Sequence, residues 1–379
     1  MKSYDVIIIG RGVTALSTAW HLYQQGITRT CVIGPRPLPE NCTSLHASHA
    51  SVTISDNITR AAHNLGTPTT KELLTLSRTG FLDLINFAEN SKIPYTLGEV
   101  LRFSTSEHEN IEMTKAVDWL QDHGFPASLT KPAFPSTALK IQKDGSAAAS
   151  LDCRKLLQVL EKSSKIKVIE TVASSLHRIR NGVEVKTIDG QCYTAEMLVA
   201  GCHLGIKSLI PELAPALVNH ADQSMVFEIF EGKIPLNVGD LIYSDHSQFW
   251  MNYSDQKKIV AGGARYLRKW AGVEAESAPV LDHVISAVTT KLQELFPIRL
   301  SKPISALGCL DLRACDEQPI VGPMFGESRI LIATGYMGNG LAFGFAAGKG
   351  LAEFIKTGTS KTIPTVFHPS RLRSLAESS

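Results

Sequence analysis

Gly10, Gly12 and Ala15 stand at G-x-G-x-x-A spacing inside "DVIIIGRGVTALSTAWHLYQQG", Asp5 to Gly26. That spacing suits the pyrophosphate of a dinucleotide. Gly10 permits a tight turn, Gly12 lets backbone approach the phosphates, and Ala15 allows a helix to pack closely on a strand. Val13 and Thr14 would offer the first amides of that helix, whose N-terminus favours negative charge. An acid about 20 residues further on should hold a ribose hydroxyl. The stretch "RTCVIGPRPLPE", Arg29 to Glu40, has no acid before Glu40 and carries Arg29 and Arg36 instead. Two readings stand here. Either Arg36 grips a 2′-phosphate, which favours NADP, or it is a solvated loop residue and Glu40 reaches back to the ribose.

The elements that must position these glycines are legible around them. Val6 to Ile9 and Cys31 to Ile33 are continuous apolar runs, as in strands buried on both faces. Thr14 to Gln25 carries Leu16, Ala19, Trp20 and Leu22 and stops at Gly26, which predicts a helix between them. Helices are expected over Lys71–Asn90, Asn110–His123 and Leu151–Leu160, with "YTLGEVLRFST" as a hairpin. "KIKVIE", "SLHRIR", "GVEVKTIDG" and "CYTAEMLVAG" read as strands. "SMVFEIF", "DLIYSD", "FWMNYSD" and "KIVAGG" come next as a separate antiparallel sheet, then a helix at Val280–Leu295. "RILIATG" is a further buried strand, leading through "YMGNG" into a helix at Ala342–Ile355.

The bulk properties exclude several classes. With 379 residues the chain exceeds what one core usually organises. Thirty-eight basic and 36 acidic side chains leave a formal charge of +2, so nucleic acid is not an expected partner. No run approaches the roughly 18 apolar residues of a membrane span. The first residues form a strand rather than a secretory leader, and the seven cysteines include no C-x-x-C pair. A reducing cytoplasm and no metal site are the expectations.

The distant end of the chain bears on the choice of nucleotide. "CLDLRACDEQPIVGP" and "RILIATGYMGNGLAFGFAAGKGLAEFI" resemble the closing section of the D-amino acid oxidase family of FAD-dependent enzymes, which includes glycine and sarcosine oxidases. Asp316, Pro319, Ile320, Gly322, Gly335, Gly338 and Gly340 carry the resemblance. "SLHASHASVT", "GVEVKTIDGQCYTAEMLVAGCHLG" and "FWMNYSDQKKIVAGG" extend it along the chain. It implies an α/β fold with a discontinuous Rossmann-like FAD-binding domain (1–70, 150–205 and 305–365). A second, α+β substrate domain on an antiparallel sheet would take 71–149 and 206–304. It further implies FAD contacts from Ser48, His49, Val172, Ala200, Gly201, Gly335, Met337, Gly338, Asn339 and Gly340, with the adenosine ribose held by backbone, by Arg36 or by Glu40.

The same resemblance points to the substrate side. The family's carboxylate-binding arginine lies about five residues before the aspartate; here that position is Asp311, and Arg313 lies three before Asp316. A shift of two keeps the strand face, so Arg313 can hold a carboxylate. An inward Asp311 would favour a cationic amine. Cys309 occupies the position of covalent flavin attachment in sarcosine oxidases, although non-covalent FAD is the primary expectation. His49, with His46, would tune the flavin ring, and Tyr336 would line the substrate pocket. The basic residues at 265, 268 and 269 read as a solvated face. The expected activity is oxidation of the C–N bond of an amine or amino acid by hydride transfer to flavin N5, with oxygen or a quinone as final acceptor. An NADP dehydrogenase, a tRNA-modifying relative and a non-catalytic flavoprotein are the alternatives.

Overall fold

A computed structural model of the protein describes residues 2–35, 43, 48–130, 138–141, 147–255 and 257–377. An eight-stranded sheet forms the first layer. Its path runs Ala173–Ile179, Gly182–Thr187, Cys192–Ala200, Lys2–Ile9, Thr30–Ile33, Lys167–Ile169. Glu327–Thr334 also lies parallel to Cys192–Ala200 and pairs antiparallel with Ile320–Met324. The strands flanking Lys2–Ile9 run parallel to it, and its alternation divides the core. Val6 and Ile8 enter one apolar cluster, while Ile7 and Ile9 enter the other. Burial on both faces explains the uninterrupted apolar runs.

Helices Val13–Gln24, Thr67–Asn90, Cys153–Ser164 and Gly340–Thr357 contribute to the first cluster. Glycines bring three of them unusually close. A Cβ on Gly348 would lie 2.4 Å from Ser17 Oγ, and one on Gly80 only 1.9 Å from the Ala342 carbonyl oxygen.

A nine-stranded sheet forms the second layer. Its path runs Ile298–Leu300, Leu217–Gly232, Lys258–Gly263, Phe249–Asp255, Leu241–Ser244, Val100–Phe103, Ala138–Ile141, Ala127–Thr130. Ser305–Ala314 pairs antiparallel with Leu217–Gly232. One face buries Met225, Phe227 and Met251 against Val284, Val288 and Leu292 of helix Asp282–Leu295. The alternate residues Asp222, Ser224 and Trp250 are left to line a cavity. A small sheet of His49–Ser51, Ala148–Leu151 and Tyr95–Gly98 completes the fold.

Several sequence expectations change. The "YTLGEVLRFST" segment is not a hairpin. Tyr95–Gly98 pairs with Ala148–Leu151, whereas Val100–Phe103 pairs with Leu241–Ser244 and Ala138–Ile141 in another sheet. The crossing occurs where Gly98 meets backbone: a Cβ there would be 2.2 Å from the Gly239 carbonyl carbon. Ser305–Ala314, grouped by sequence with the nucleotide-binding segments, hydrogen-bonds within the second sheet instead. Helix Thr67–Asn90, grouped with the substrate domain, packs in the first core. The helix expected from Leu151 begins at Cys153, because Leu151 ends a strand and the Asp152 carboxylate caps Lys155 N at 3.0 Å.

Candidate active site

A cavity of about 310 Å³ opens beyond the C-terminal ends of the parallel strands. The residues just past each strand end build its wall. Gly10, Gly12, Val13 and Thr14 come after Lys2–Ile9, Gly201 after Cys192–Ala200, and Gly335 and Tyr336 after Glu327–Thr334. Helices Val13–Gln24 and Gly340–Thr357 both begin here, and neither Gly12 nor Asn339 closes its helix with a side-chain cap. Thr43 Oγ1 accepts from Val13 N at 3.2 Å. Two helix N-termini therefore direct partial positive charge at one volume. Gly10 has φ of +115°, and a Cβ there would lie 2.3 Å from the Gly201 oxygen. At Gly340 a Cβ would meet no protein atom within 4 Å, because the position faces the cavity.

The missing ribose acid has a local explanation. Arg11, buried on the same turn, donates through Nε to Glu161 at 2.7 Å and through Nη1 to Glu170 at 3.0 Å. Its stem packs over Gly34, where a Cβ would come within 3.0 Å of Arg11 Cβ. A side chain at Gly34 would be crowded by Arg11 Cβ and by the Gly10–Arg11 backbone. Arg36, Glu40 and His46 lie outside the described residues.

Ala15 and Ala200 are fully buried behind the wall rather than on it. Ser48 takes a left-handed φ of 58° and its carbonyl accepts from Leu151 N at 2.9 Å, away from the cavity lining. Val172 is exposed, and its carbonyl accepts from Ile188 N at 3.0 Å. The structure does not bring it to the cavity.

Tyr336 requires a correction. It lines this first cavity and not the neighbouring one, its hydroxyl 3.0 Å from Thr14 Oγ1. Gly335, at φ +76°, turns the chain so that Tyr336 faces the first helix while Met337 faces away. Burial pushes the Tyr336 phenol up and keeps it neutral.

A second cavity lies across the Met337–Asn339 turn, and Gly338 and Asp311 line both. His49, Asp222, Tyr243, Trp250, Arg265, Cys309 and Arg313 form its wall. The buried His49 ring lies 5.7 Å from Trp250. Met337 holds a left-handed φ of 54° while its carbonyl accepts from Ser55 Oγ. Asn339 Nδ2 donates in turn to that Ser55 hydroxyl at 3.3 Å. Cys309 stands opposite Asp222 across the strand pair.

The charges here are unequal in their partners. Arg313 Nε donates to Asp311 Oδ2 at 3.0 Å. Burial tends to raise the Asp311 carboxyl, but His203 and Arg313 together hold it down at about 2. Asp311 therefore faces inward, the placement that would favour a cationic amine, but Arg313 already engages its charge. Burial raises Asp222 despite the neighbouring Arg265. Burial, with Arg313 and Arg265 alongside, lowers His220 to about 4.

The sequence missed Arg265. Gly263 (φ +111°) and Ala264 (φ 52°) fold the chain back onto the sheet, and Arg265 turns into the cavity. Arg268 is also buried, donating to Gln223 Oε1 at 2.9 Å. Only Lys269 of that basic run is exposed. The Gly-Gly pair at 262–263 was the available signal, since it marks a close backbone approach. Elsewhere, His108, Glu112 and His246 offer three ligand atoms within 4.8 Å of one another. Arg60 occupies that group, at 3.1 Å from Glu112 and 2.7 Å from His246 Nδ1.

Known proteins share both this sequence pattern and this architecture. The profile of the family described as DAO, FAD dependent oxidoreductase, matches residues 5–354. N-methyl-L-tryptophan oxidase of Citrobacter koseri is 24% identical over 220 residues, 55% of this chain and 56% of that protein. The match thus spans about half the length of that relative. Glycine oxidase from Geobacillus kaustophilus superposes with a TM-score of 0.80 at 13% identity, covering 98% of this chain and 99% of that one. L-proline dehydrogenase from P. horikoshii gives 0.79 at 14% identity, covering 98% of each. At such identities the structural likeness speaks for the fold.

Proposed function

The chain belongs to the DAO family of FAD-dependent oxidoreductases, and from that premise we propose that it oxidises the C–N bond of an amino acid or amine. FAD, when bound, supplies the two-electron acceptor for the hydride leaving the carbon that bears nitrogen. The observation that carries the reading is the arrangement of two cavities meeting at Gly338 and Asp311. A cofactor in the first can expose its reactive end to a substrate in the second.

The residues of the first cavity fit FAD. Gly12 and Gly340 keep side chains out of the floor, and two helix N-termini face the volume where pyrophosphate and reduced-flavin charge need compensation. Thr14 and Tyr336 fix one another along its wall. The NADP alternative is set aside by the family match.

On the substrate side this chain's residues bind and orient. Trp250, Tyr243, Leu310 and Met337 supply apolar wall, and Arg265, Arg313, Asp222 and Asp311 supply charge. Asp222, which burial makes a better proton acceptor, takes the proton of a substrate ammonium at its carboxylate and leaves the neutral amine. Orientation rather than strong base catalysis carries the rate.

Anaerobic addition of D-amino acids, N-methyl amino acids and polyamines to the purified yellow protein tests the proposal. Bleaching of the flavin band by at least one class is expected, and no bleaching by any of them would favour a non-catalytic flavoprotein. FAD is taken as non-covalent, with no bond from Cys309 to the flavin; flavin that stays with acid-precipitated protein would reverse that.

A further inference from the structure

Two arginines face the second cavity, and they differ in what they touch. Arg313 is tied to Asp311 at 3.0 Å. Arg265 has only the imidazole of His220, whose Nδ1 accepts from Nη1 at 3.2 Å, and among the described residues no carboxylate stands at ion-pair distance from it. His220 is held neutral by burial and by both arginines, so it orients the guanidinium without cancelling its charge.

Such an arrangement leaves the Arg265 guanidinium without a carboxylate in contact, although the wall as a whole carries both signs of charge. A buried guanidinium is expensive unless an anion pairs with it. Here burial, reinforced by Arg313 next to it, destabilises the Arg265 cation, and Asp222, Asp311 and Glu317 only partly oppose this. Both arginines also line the adjoining cavity of about 220 Å³ that contains Arg60, Asn64 and Glu317, so the region between them is reachable. A planar fork with free N–H donors matches a carboxylate in both charge and shape. Asp222, on the same cavity wall, offers the opposite charge for an ammonium.

We infer that Arg265 receives the carboxylate of the substrate, which makes that substrate an amino acid rather than a simple amine. The inference rests on the proposed C–N oxidation for its meaning, but the anion site can be tested apart from turnover. Arg313, locked by Asp311, is then a neighbour that sharpens the field rather than the receptor.

The test uses the FAD-loaded enzyme and sodium acetate as probe, read by perturbation of the flavin absorbance and by calorimetry. Wild type should bind acetate. Arg265→Gln should weaken it about 10- to 100-fold, the range of a charged hydrogen-bonded contact. Arg265→Lys should recover part of the loss, and Arg313→Gln should cost less than either. With an amino acid found by flavin bleaching, Arg265→Gln should raise KM by a larger factor than it lowers kcat. Circular dichroism and thermal melting confirm that each variant is folded, and Arg265→Lys carries the test if Arg265→Gln is not. Unchanged acetate binding in Arg265→Gln, or a larger loss in Arg313→Gln, overturns the inference. Wild type that ignores acetate yet is bleached by plain amines also overturns it and leaves C–N oxidation standing. Acetate binding without bleaching by any amine upholds the anion site and removes the proposed function.

Discussion

Replacing Gly348 by alanine tests whether the seam between two helices sets the cofactor cavity. A Cβ at Gly348 would lie 2.4 Å from Ser17 Oγ, 2.6 Å from Ser17 Cβ and 2.6 Å from Thr18 N. The last contact is backbone, so no rotamer change relieves it, and the helices must part by about 1 Å to reach ordinary van der Waals distance. Overpacking of this kind costs about 1–3 kcal/mol. Alanine gives back about 1 kcal/mol in helix propensity, so a net loss of up to about 2 kcal/mol is expected. Because both helices start at the cavity, their N-termini also shift, and FAD affinity should fall about 3- to 10-fold. Gly340→Ala provides the contrast: its methyl meets no protein atom but enters the cavity. The apo melting temperature of Gly340→Ala should match or exceed wild type while FAD binding weakens. Melting of apo and FAD-loaded protein, with FAD titration by fluorescence quenching, separates the two. A Gly348→Ala protein as stable and as FAD-avid as wild type would refute the reasoning, as would equal stability losses in both variants.

Other contacts carry predictions of their own. His21 is driven to about 4 by burial, against 6.5 in the unfolded chain. Below pH 6.5 the unfolded state takes a proton that native His21 refuses, so stability should fall towards pH 4, by at most about 3 kcal/mol from this group. The difference between wild-type and His21→Gln urea unfolding across that window isolates it; parallel curves would count against it. Tyr336→Phe removes the bond to Thr14 and should weaken FAD binding a few-fold, about 0.5–1.5 kcal/mol, with KM for substrate unchanged. A raised KM instead would return Tyr336 to the substrate side. Arg11→Met removes the charged bonds to Glu161 and Glu170, both of which keep contact with solvent; a loss of about 1 kcal/mol on melting is expected, and an unchanged melting temperature would deny the clamp a structural role.

How much of the fold and site was legible in sequence depends on range. The turns at Gly10–Gly12 and Gly338–Gly340 were readable because strand, glycine and helix succeed one another within a few residues. The false hairpin at 95–103 failed for the opposite reason. Its strands alternate correctly, but their partners lie over 40 and over 130 residues away, and no local pattern specifies them. Arg265 was hidden by composition. A run with Arg265, Arg268 and Lys269 looks like a wetted surface unless the left-handed Gly263–Ala264 turn is known. Tyr336 was placed on the wrong side because one residue of turn decides which cavity a side chain enters.

The pairing of distant segments in the first sheet also sets a timetable. Strand Lys2–Ile9 must wait for Cys192–Ala200 before both of its flanks are hydrogen-bonded, and helix Val13–Gln24 must wait for Gly340–Thr357. At a synthesis rate of about 5–20 residues per second, the roughly 300 intervening residues correspond to roughly 15–60 s. During that interval the apolar strand "DVIII" has left the ribosome without its final cover, and its cofactor cavity lacks a wall. A cofactor held in the cavity that both chain ends line would therefore bind only after Gly340–Thr357 has joined Val13–Gln24.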